Sequence, residues 1–382
     1  MDYRLLLAYC RSMLDEMMAC LKEAVEIESP THSKPHVDRL ARFFARKFRE
    51  QNGSVRLLRH PSAGSALGTE FWGRAGGKRG AKPILLLGHL DTVWDVGTLR
   101  RMPFRIARGR AYGPGIFDMK SGIVCGLWAV RALRALGIEP ASPVRFFLNS
   151  DEESSSVAFR TELLREARQA RAVLVLEPAA AGGALKTSRK GVGEFRLVVH
   201  GRAAHAGIDP AAGVNAINEL ARQLLRIAKF AEPRRGLTVT AGMIEGGTRP
   251  NVVPEYASAR IDVRIPRLED RASIERKMRG LKPIHTQARL KVEGGINRPP
   301  LERAMSRELF HLARKVGRQM GIEIEEASTG GASDGNFTAA LGVPTLDGLG
   351  AVGDGAHALH EHVIIRELPR RAALIAALIA AL

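Results

Sequence analysis

The feature that most constrains this chain is a short aliphatic strand that ends in charge, used more than once. The segment PILLLGHLDTVWD (83–95) runs through aliphatic side chains and stops at His89 and Asp91. VRFFLN (144–149) runs into SDEES, which carries Asp151, Glu152 and Glu153, and AVLVLEP (172–178) ends in Glu177. Apolar runs of this length read as strands buried on both faces, the kind found in parallel sheets covered by helices. Side chains two positions apart in an extended chain share a side, so His89 and Asp91 converge just past the carboxyl end of their strand. Open α/β sheets bind their ligands there. Alone, His-x-Asp reads as an ordinary strand exit with a hydrogen-bonded pair. Strand followed by acid three times over does not, because neighbouring carboxylates repel and cost stability unless a cation or a proton compensates.

The rest of the chain supplies the frame. At 382 residues it is too long for one compact core and suggests two domains. Helical periodicity near 5–27 and 35–51 is followed by strands near 54–60, 66–73 and 83–88, with Gly-rich turns such as RAGGKRGAKP (74–83). A helix near 120–136 separates these from the strands at 144–149 and 172–177. This alternation predicts an α/β domain with a helix-covered, mostly parallel sheet over 1–188. From 189 the texture changes. GVGEFRLVVHGRAAHAG, VNAINELARQLLRIAKF, LTVTAGMIEGG, ASARIDVRI, a helix near 268–280 and a strand near 288–293 give the order β-α-β-β-α-β. That order fits a ferredoxin-like α+β insertion over 189–298, a lid or dimerisation domain, after which the first domain resumes over 299–382.

Composition limits the function classes. The closing AALIAALIAAL falls short of the roughly 20 apolar residues that span a bilayer. The first thirty residues mix acids with apolar residues at helical spacing, which is wrong for a secretory signal, so a cytoplasmic location without membrane association is expected. Cys10, Cys20 and Cys125 lack C-x-x-C spacing and read as structural thiols. The net charge of +18 would favour a nucleic-acid partner if it were concentrated, but the basic residues are scattered and aromatics make up only 5%. Nucleic acid is therefore not an expected partner; a field that draws in anionic substrates is the more modest inference.

Two further segments bear on the strand ends. GPGIFDMKSG (113–122) places Asp118 just before a helix, where an aspartate taken alone is usually an N-cap. GDGAHALHEHV (353–363) supplies His357, His360 and His362. The sum is rich in oxygen, holds at least two imidazoles and lacks sulfur, a mixture suited to zinc or a related divalent ion such as cobalt or manganese. Two metals sharing a carboxylate fit it better than one.

The segments GHLDTV, GPGIFDMKSG, SDEES, VLEP, GRAAHAG, NVVP, GGASDG and GAHALHE stand in the order and at about the spacing of the dinuclear zinc aminoacylase and carboxypeptidase family. The chain resembles that family over nearly its whole length, and LDGLG (346–350) looks most like its glutamate carboxypeptidase branch. The resemblance implies one zinc on His89 and Glu177, another on Glu153 and His357, and Asp118 bridging both, with His360 and His362 at positions that are usually not ligands. It gives Asp91 the part of orienting His89, and Glu152 that of general base. His205 of GRAAHAG would stabilise the oxyanion, reaching in dimeric relatives from the partner subunit. Asn251, Arg264 and the amides of Gly330 and Gly331 would contact substrate, with Arg298 a weaker candidate. Phe117 beside Asp118, and Ser121 where glycine is frequent, are small departures. The expected activity is hydrolysis of a peptide or amide bond next to a free carboxylate, on a small peptide or N-acyl amino acid, by a homodimer. An N-acyl-amino-acid deacylase or desuccinylase would use the same catalytic set. A non-catalytic metal-binding protein on the same scaffold is disfavoured by the presence of Glu152.

Overall fold

The computed structural model describes residues 2–73 and 80–382; the Gly-rich turn read at 74–83 lies mostly outside them, at 74–79. The described residues form a mixed α/β fold that divides into two units. The first comprises 1–188, 303–329 and 333–382, and the second 189–302 and 330–332, so Gly330 and Gly331 group with the second.

The first unit is built on a six-stranded sheet in the order Ser54–Leu58, Ala66–Phe71, Val144–Asn149, Ile84–His89, Ala172–Val175, Thr345–Leu346. The last four strands run parallel, while the first two add on antiparallel at one edge. Alternation along the central strand sends Ile84 and Leu86 to one face and Leu85 and Leu87 to the other. Ile84 and Leu86 join a core with the helices Lys34–Glu50, Ser121–Ala135 and Leu368–Ala381. Leu85 and Leu87 join Phe159, Leu163 and Phe337 on the opposite side. Each such fully buried side chain contributes about 1.5–3 kcal/mol, enough to hold a strand whose last residue is a buried imidazole.

Several local expectations are refined. The helix read over 5–27 breaks at Met13 into Arg4–Ser12 and Leu14–Glu26. A helix at Arg160–Gln169 was not legible, because its charge-rich sequence buries only Leu163, Glu166 and Ala167. Asp118 is not the N-cap: the helix begins at Ser121 and Lys120 holds the cap position, while Asp118 lies in the extended backbone before it (φ −114°, ψ 94°). Gly122 in that first turn is required by close approach, since a Cβ there would lie 2.0 Å from the carbonyl oxygen of Leu176. The three cysteines are buried, and burial pushes each thiol up to about 12. Among the described residues, no helix is long and apolar enough to cross a membrane.

The second unit has a four-stranded antiparallel sheet in the order Thr238–Gly246, Tyr256–Ile265, Gly191–His200, Arg289–Arg298. Helices Ala216–Ala228 and Glu269–Arg279 complete the order β-α-β-β-α-β. Both pack their apolar residues into one core with Phe195, Leu197, Ile261 and Val263. Thr238–Gly246 is an edge strand, and it exposes Met243 and Ile244.

Candidate metal centre

Three adjacent parallel strands of the first unit deliver their carboxyl ends to one place. His89 closes the middle strand, in register with Asn149 of its neighbour. The neighbour continues into the turn Glu152–Ser154, and on the other side Ala172–Val175 leads to Glu177 two residues on. Asp118 comes from the irregular segment before the helix Ser121–Ala135. His357 comes from much further along the chain, on a hairpin formed by Gly353–Asp354 and His362–Ile364. Strand His362–Ile364 also pairs with Arg110–Tyr112, which leads into the Asp118 segment, and this pairing brings His357 to the other groups.

Asp118 stands between two histidines. Its Oδ1 lies 3.2 Å from His89 Nε2 and its Oδ2 lies 3.4 Å from His357 Nε2. Each histidine has a second acid beside it: Glu177 Oε1 is 3.5 Å from His89 Nε2, and Glu153 Oε1 is 3.3 Å from His357 Nε2. Ligand atoms of His89, Asp118 and Glu153 all fall within 4.8 Å of one another. Of the three histidines near the end of the chain, His357 is the one facing these acids. His362 stacks on Tyr112 with ring centroids 5.3 Å apart, and His360 is exposed.

The electrostatics favour positive charge here. Asp118 and then Glu153 hold the His357 imidazolium up to about 10, against the opposing effect of its burial. At His89 burial is the largest effect and opposes charge, yet Asp118, Asp91 and Glu177 together raise its pKa well above the usual histidine range. Burial likewise works against Asp118, but the two imidazoles hold its carboxyl well below the usual carboxylate range. Burial raises Glu153. A site that charges two imidazoles stabilises any cation, and a divalent ion competes with those protons for the same nitrogens. Glu153 Oε1 is moreover buried, and beyond its ion pair with His357 it makes no hydrogen bond, which leaves it capacity to ligate a metal. The donor set therefore fits a divalent metal ion.

Asp91 is completely buried and does more than the sequence suggested. His89 Nδ1 lies 2.9 Å from the backbone carbonyl of Asp91 and 3.5 Å from its carboxylate, so the oxygen nearest the ring is main-chain. The Asp91 carboxylate accepts from the backbone N–H groups of Glu152 (3.2 Å) and Glu153 (3.1 Å) and from Thr31 Oγ1 (2.9 Å). One aspartate thus fixes both the imidazole and the Glu152–Glu153 turn.

Two acids were missed from sequence. Glu361 sits inside the segment GAHALHE, behind its more conspicuous histidines. It is fully buried and accepts from Trp94 Nε1 (2.8 Å), Gly115 N (2.9 Å), Phe117 N (2.8 Å) and Asp118 N (3.0 Å). Asp334, in GGASDG, accepts from Asn149 Nδ2 at 2.7 Å and from Ser156 Oγ beyond the Glu152 turn.

The remaining sequence candidates lie in the second unit. His205 pairs with Val252, and the carbonyl of Asn251 accepts from Ala206 N at 3.0 Å, so His205 and Asn251 are brought together. His205 Nδ1 accepts from Gly207 N and Ile208 N, each at 3.1 Å, which assigns the proton of the neutral ring to Nε2. The Arg264 guanidinium is held by Asp262 of its own strand at 2.9 Å. Arg298 is buried beside a bulge in the sheet, and the carbonyl of Gly331 accepts from Arg189 at 3.1 Å.

The sequence description of peptidase family M20/M25/M40 matches residues 85–381. Carboxypeptidase G2 of Pseudomonas sp. (strain RS-16) is 31% identical over 379 residues, covering 96% of this chain and 89% of that protein. A succinyl-diaminopimelate desuccinylase of Wolinella succinogenes is 29% identical over 74% of this chain and 80% of its own length. Among solved structures, aminopeptidase PepT from Bacillus cereus superposes with a TM-score of 0.77 at 20% identity, covering 96% of this chain and 98% of that one.

Proposed function

This chain belongs to peptidase family M20/M25/M40, and from that premise we propose that it is a two-metal carboxypeptidase, releasing a C-terminal amino acid such as glutamate. It is a metallohydrolase of that family, acting on peptide or acyl-amino-acid substrates.

The observation that carries the two-metal reading is the division of Asp118, one oxygen toward His89 and Glu177 and the other toward His357 and Glu153. In this reading His89, Glu177 and Asp118 would hold one zinc ion, and His357, Glu153 and Asp118 would hold the other. Such ions, when bound, would supply polarisation of the scissile carbonyl and a lowered pKa of the attacking water. Glu152 takes that water's proton and returns it to the leaving amine. His205, whose proton sits on Nε2, donates to the developing oxyanion. Asn251 and the amides of Gly330 and Gly331 contact the substrate. Arg264 reads its carboxylate by exchanging Asp262 for it.

Glutamate rests on the segment LDGLG, and carboxypeptidase action on the similarity to carboxypeptidase G2. The desuccinylases among the relatives favour a second reading, an N-acyl-amino-acid deacylase with different pocket walls. A hydrolysis screen with metal added decides between them. Peptides and acyl compounds ending in glutamate should turn over faster than succinyl and acetyl derivatives of other amino acids, and amidating the free carboxylate should reduce kcat/KM sharply. Faster turnover of the succinyl series would replace the first reading with the second.

The second unit supports a ferredoxin-like lid that also joins two copies of the chain, since its edge strand Thr238–Gly246 leaves unpaired backbone groups and apolar residues that need covering. In such a dimer His205 acts on the partner's metals. Mixing inactive His205→Ala with inactive Glu152→Ala should then restore part of the activity after subunit exchange. No recovery in verified heterodimers would assign His205 to its own subunit or to no catalytic part.

A further inference from the structure

Glu361 is not among the groups assigned to metal, yet its carboxylate is bonded to two segments that carry metal-facing residues and belongs to a third. It follows His357 on the hairpin between Gly353–Asp354 and His362–Ile364. Its Oε1 accepts from Phe117 N and Asp118 N, so it grips the backbone of the shared aspartate itself. Its Oε2 accepts from Gly115 N and from the indole of Trp94, which lies just beyond His89 and Asp91. Each oxygen thus takes two donors, and a fully buried side chain has no water to turn to instead.

We propose that Glu361 is a positioning residue of the metal centre, setting the separation at which Asp118 can serve His89 and His357 together. This rests on the two-metal reading above. The chemistry requires a carboxylate. A glutamine at 361 would have to point its NH2 group at one of the two donor pairs, and either orientation sets N–H against N–H. One flip loses the hold on Asp118, and the other loses the hold on Gly115 and Trp94. Because Glu361 acts through the shared ligand, its loss weakens the binding of both metals, whereas loss of Glu177 or His357 strikes mainly one.

A carboxylate that merely held the fold together would behave differently. Glu219 is such a group in the second unit: buried, and accepting from Gln223 Nε2 and from the backbone N–H groups of Ile284 and His285. The test is a stepwise titration of the metal-free full-length protein with Zn2+ against a competing chelator, repeated with Co2+ to follow its visible absorption. It is run well below the unfolding temperature of every variant. Glu361→Gln should weaken both binding steps by about 10–100-fold, the usual range for groups that orient ligands, and should alter the Co2+ spectrum. Glu219→Gln should lower the unfolding temperature while leaving both steps and the spectrum as in wild type. If Glu361→Gln does not fold, Trp94→Phe removes one donor and keeps the carboxylate, and it should weaken both steps by a smaller factor. Wild-type constants and spectrum in Glu361→Gln, or in Trp94→Phe when that variant stands in, would overturn the proposal while leaving the two-metal reading intact. A wild-type protein that binds one metal or none, or whose titration is unchanged by His89→Ala, would overturn that reading and the proposal with it.

Discussion

Glutamine in place of Glu152 should leave two metals bound and reduce kcat by about 10²–10⁴, the range for loss of a positioned general base. That factor corresponds to about 3–5.5 kcal/mol of transition-state stabilisation. An isosteric change at a part-exposed residue alters stability by about 0.5 kcal/mol, so unfolding cannot account for the loss. The backbone of the turn is held independently of the side chain, because Asp91 accepts from the N–H groups of both Glu152 and Glu153. Turnover and metal content measured on the same sample check the prediction. Glu153→Gln should give the opposite pattern, with weakened metal retention, since Glu153 Oε1 faces His357 and has no hydrogen bond of its own. If the two phenotypes come out reversed, the register of the DEE motif has been misread.

Alanine at Asp118 should abolish metal binding altogether, and with it activity. Each Asp118 oxygen faces a separate histidine, so in the two-metal reading a single substitution removes a ligand from both positions. Glu177→Ala and His357→Ala each remove a ligand from one. Elemental analysis after dialysis should therefore read near zero for Asp118→Ala and near one for the other two, against about two for the wild type. A value near one for Asp118→Ala would mean that Asp118 belongs to a single metal and that the bridge does not exist.

The strand ends were legible because buried parallel strands announce themselves as unbroken apolar runs, and because polar residues at their ends have no other reason to be there. His89, Glu177 and the run Asp151, Glu152, Glu153 follow from that pattern, whereas the choice of Glu153 within the run came from the family resemblance. Asp118 and His357 do not. An aspartate before a helix looks like a cap, and the choice among His357, His360 and His362 depends on a hairpin whose strands are only two and three residues long. Strands so short carry no periodic signal. Glu361 was overlooked for a related reason, three of its four donors being backbone N–H groups. A buried carboxylate whose partners are backbone N–H groups leaves no mark on the sequence, since any residue but proline can supply the donor. Arg264 shows the converse: its placement at a substrate-contacting position came from the family pattern, while the nearest partner of its guanidinium is Asp262, two residues away.

The hairpin that carries His357 also determines when the centre can exist. His89, Asp118, Glu153 and Glu177 all precede the second unit in the chain, whereas His357 and Glu361 follow it. During synthesis from the amino end, the first four, three acids and a single histidine, are made before the whole of residues 189–302. In the two-metal reading, the residues assigned to the first position, His89, Glu177 and Asp118, are all made by that stage. The position of Glu153 is not complete, and it gains its histidine only with the closing stretch of the polypeptide. Order along the chain thus becomes order in time, and a polypeptide released before residue 357 holds at most half of the centre.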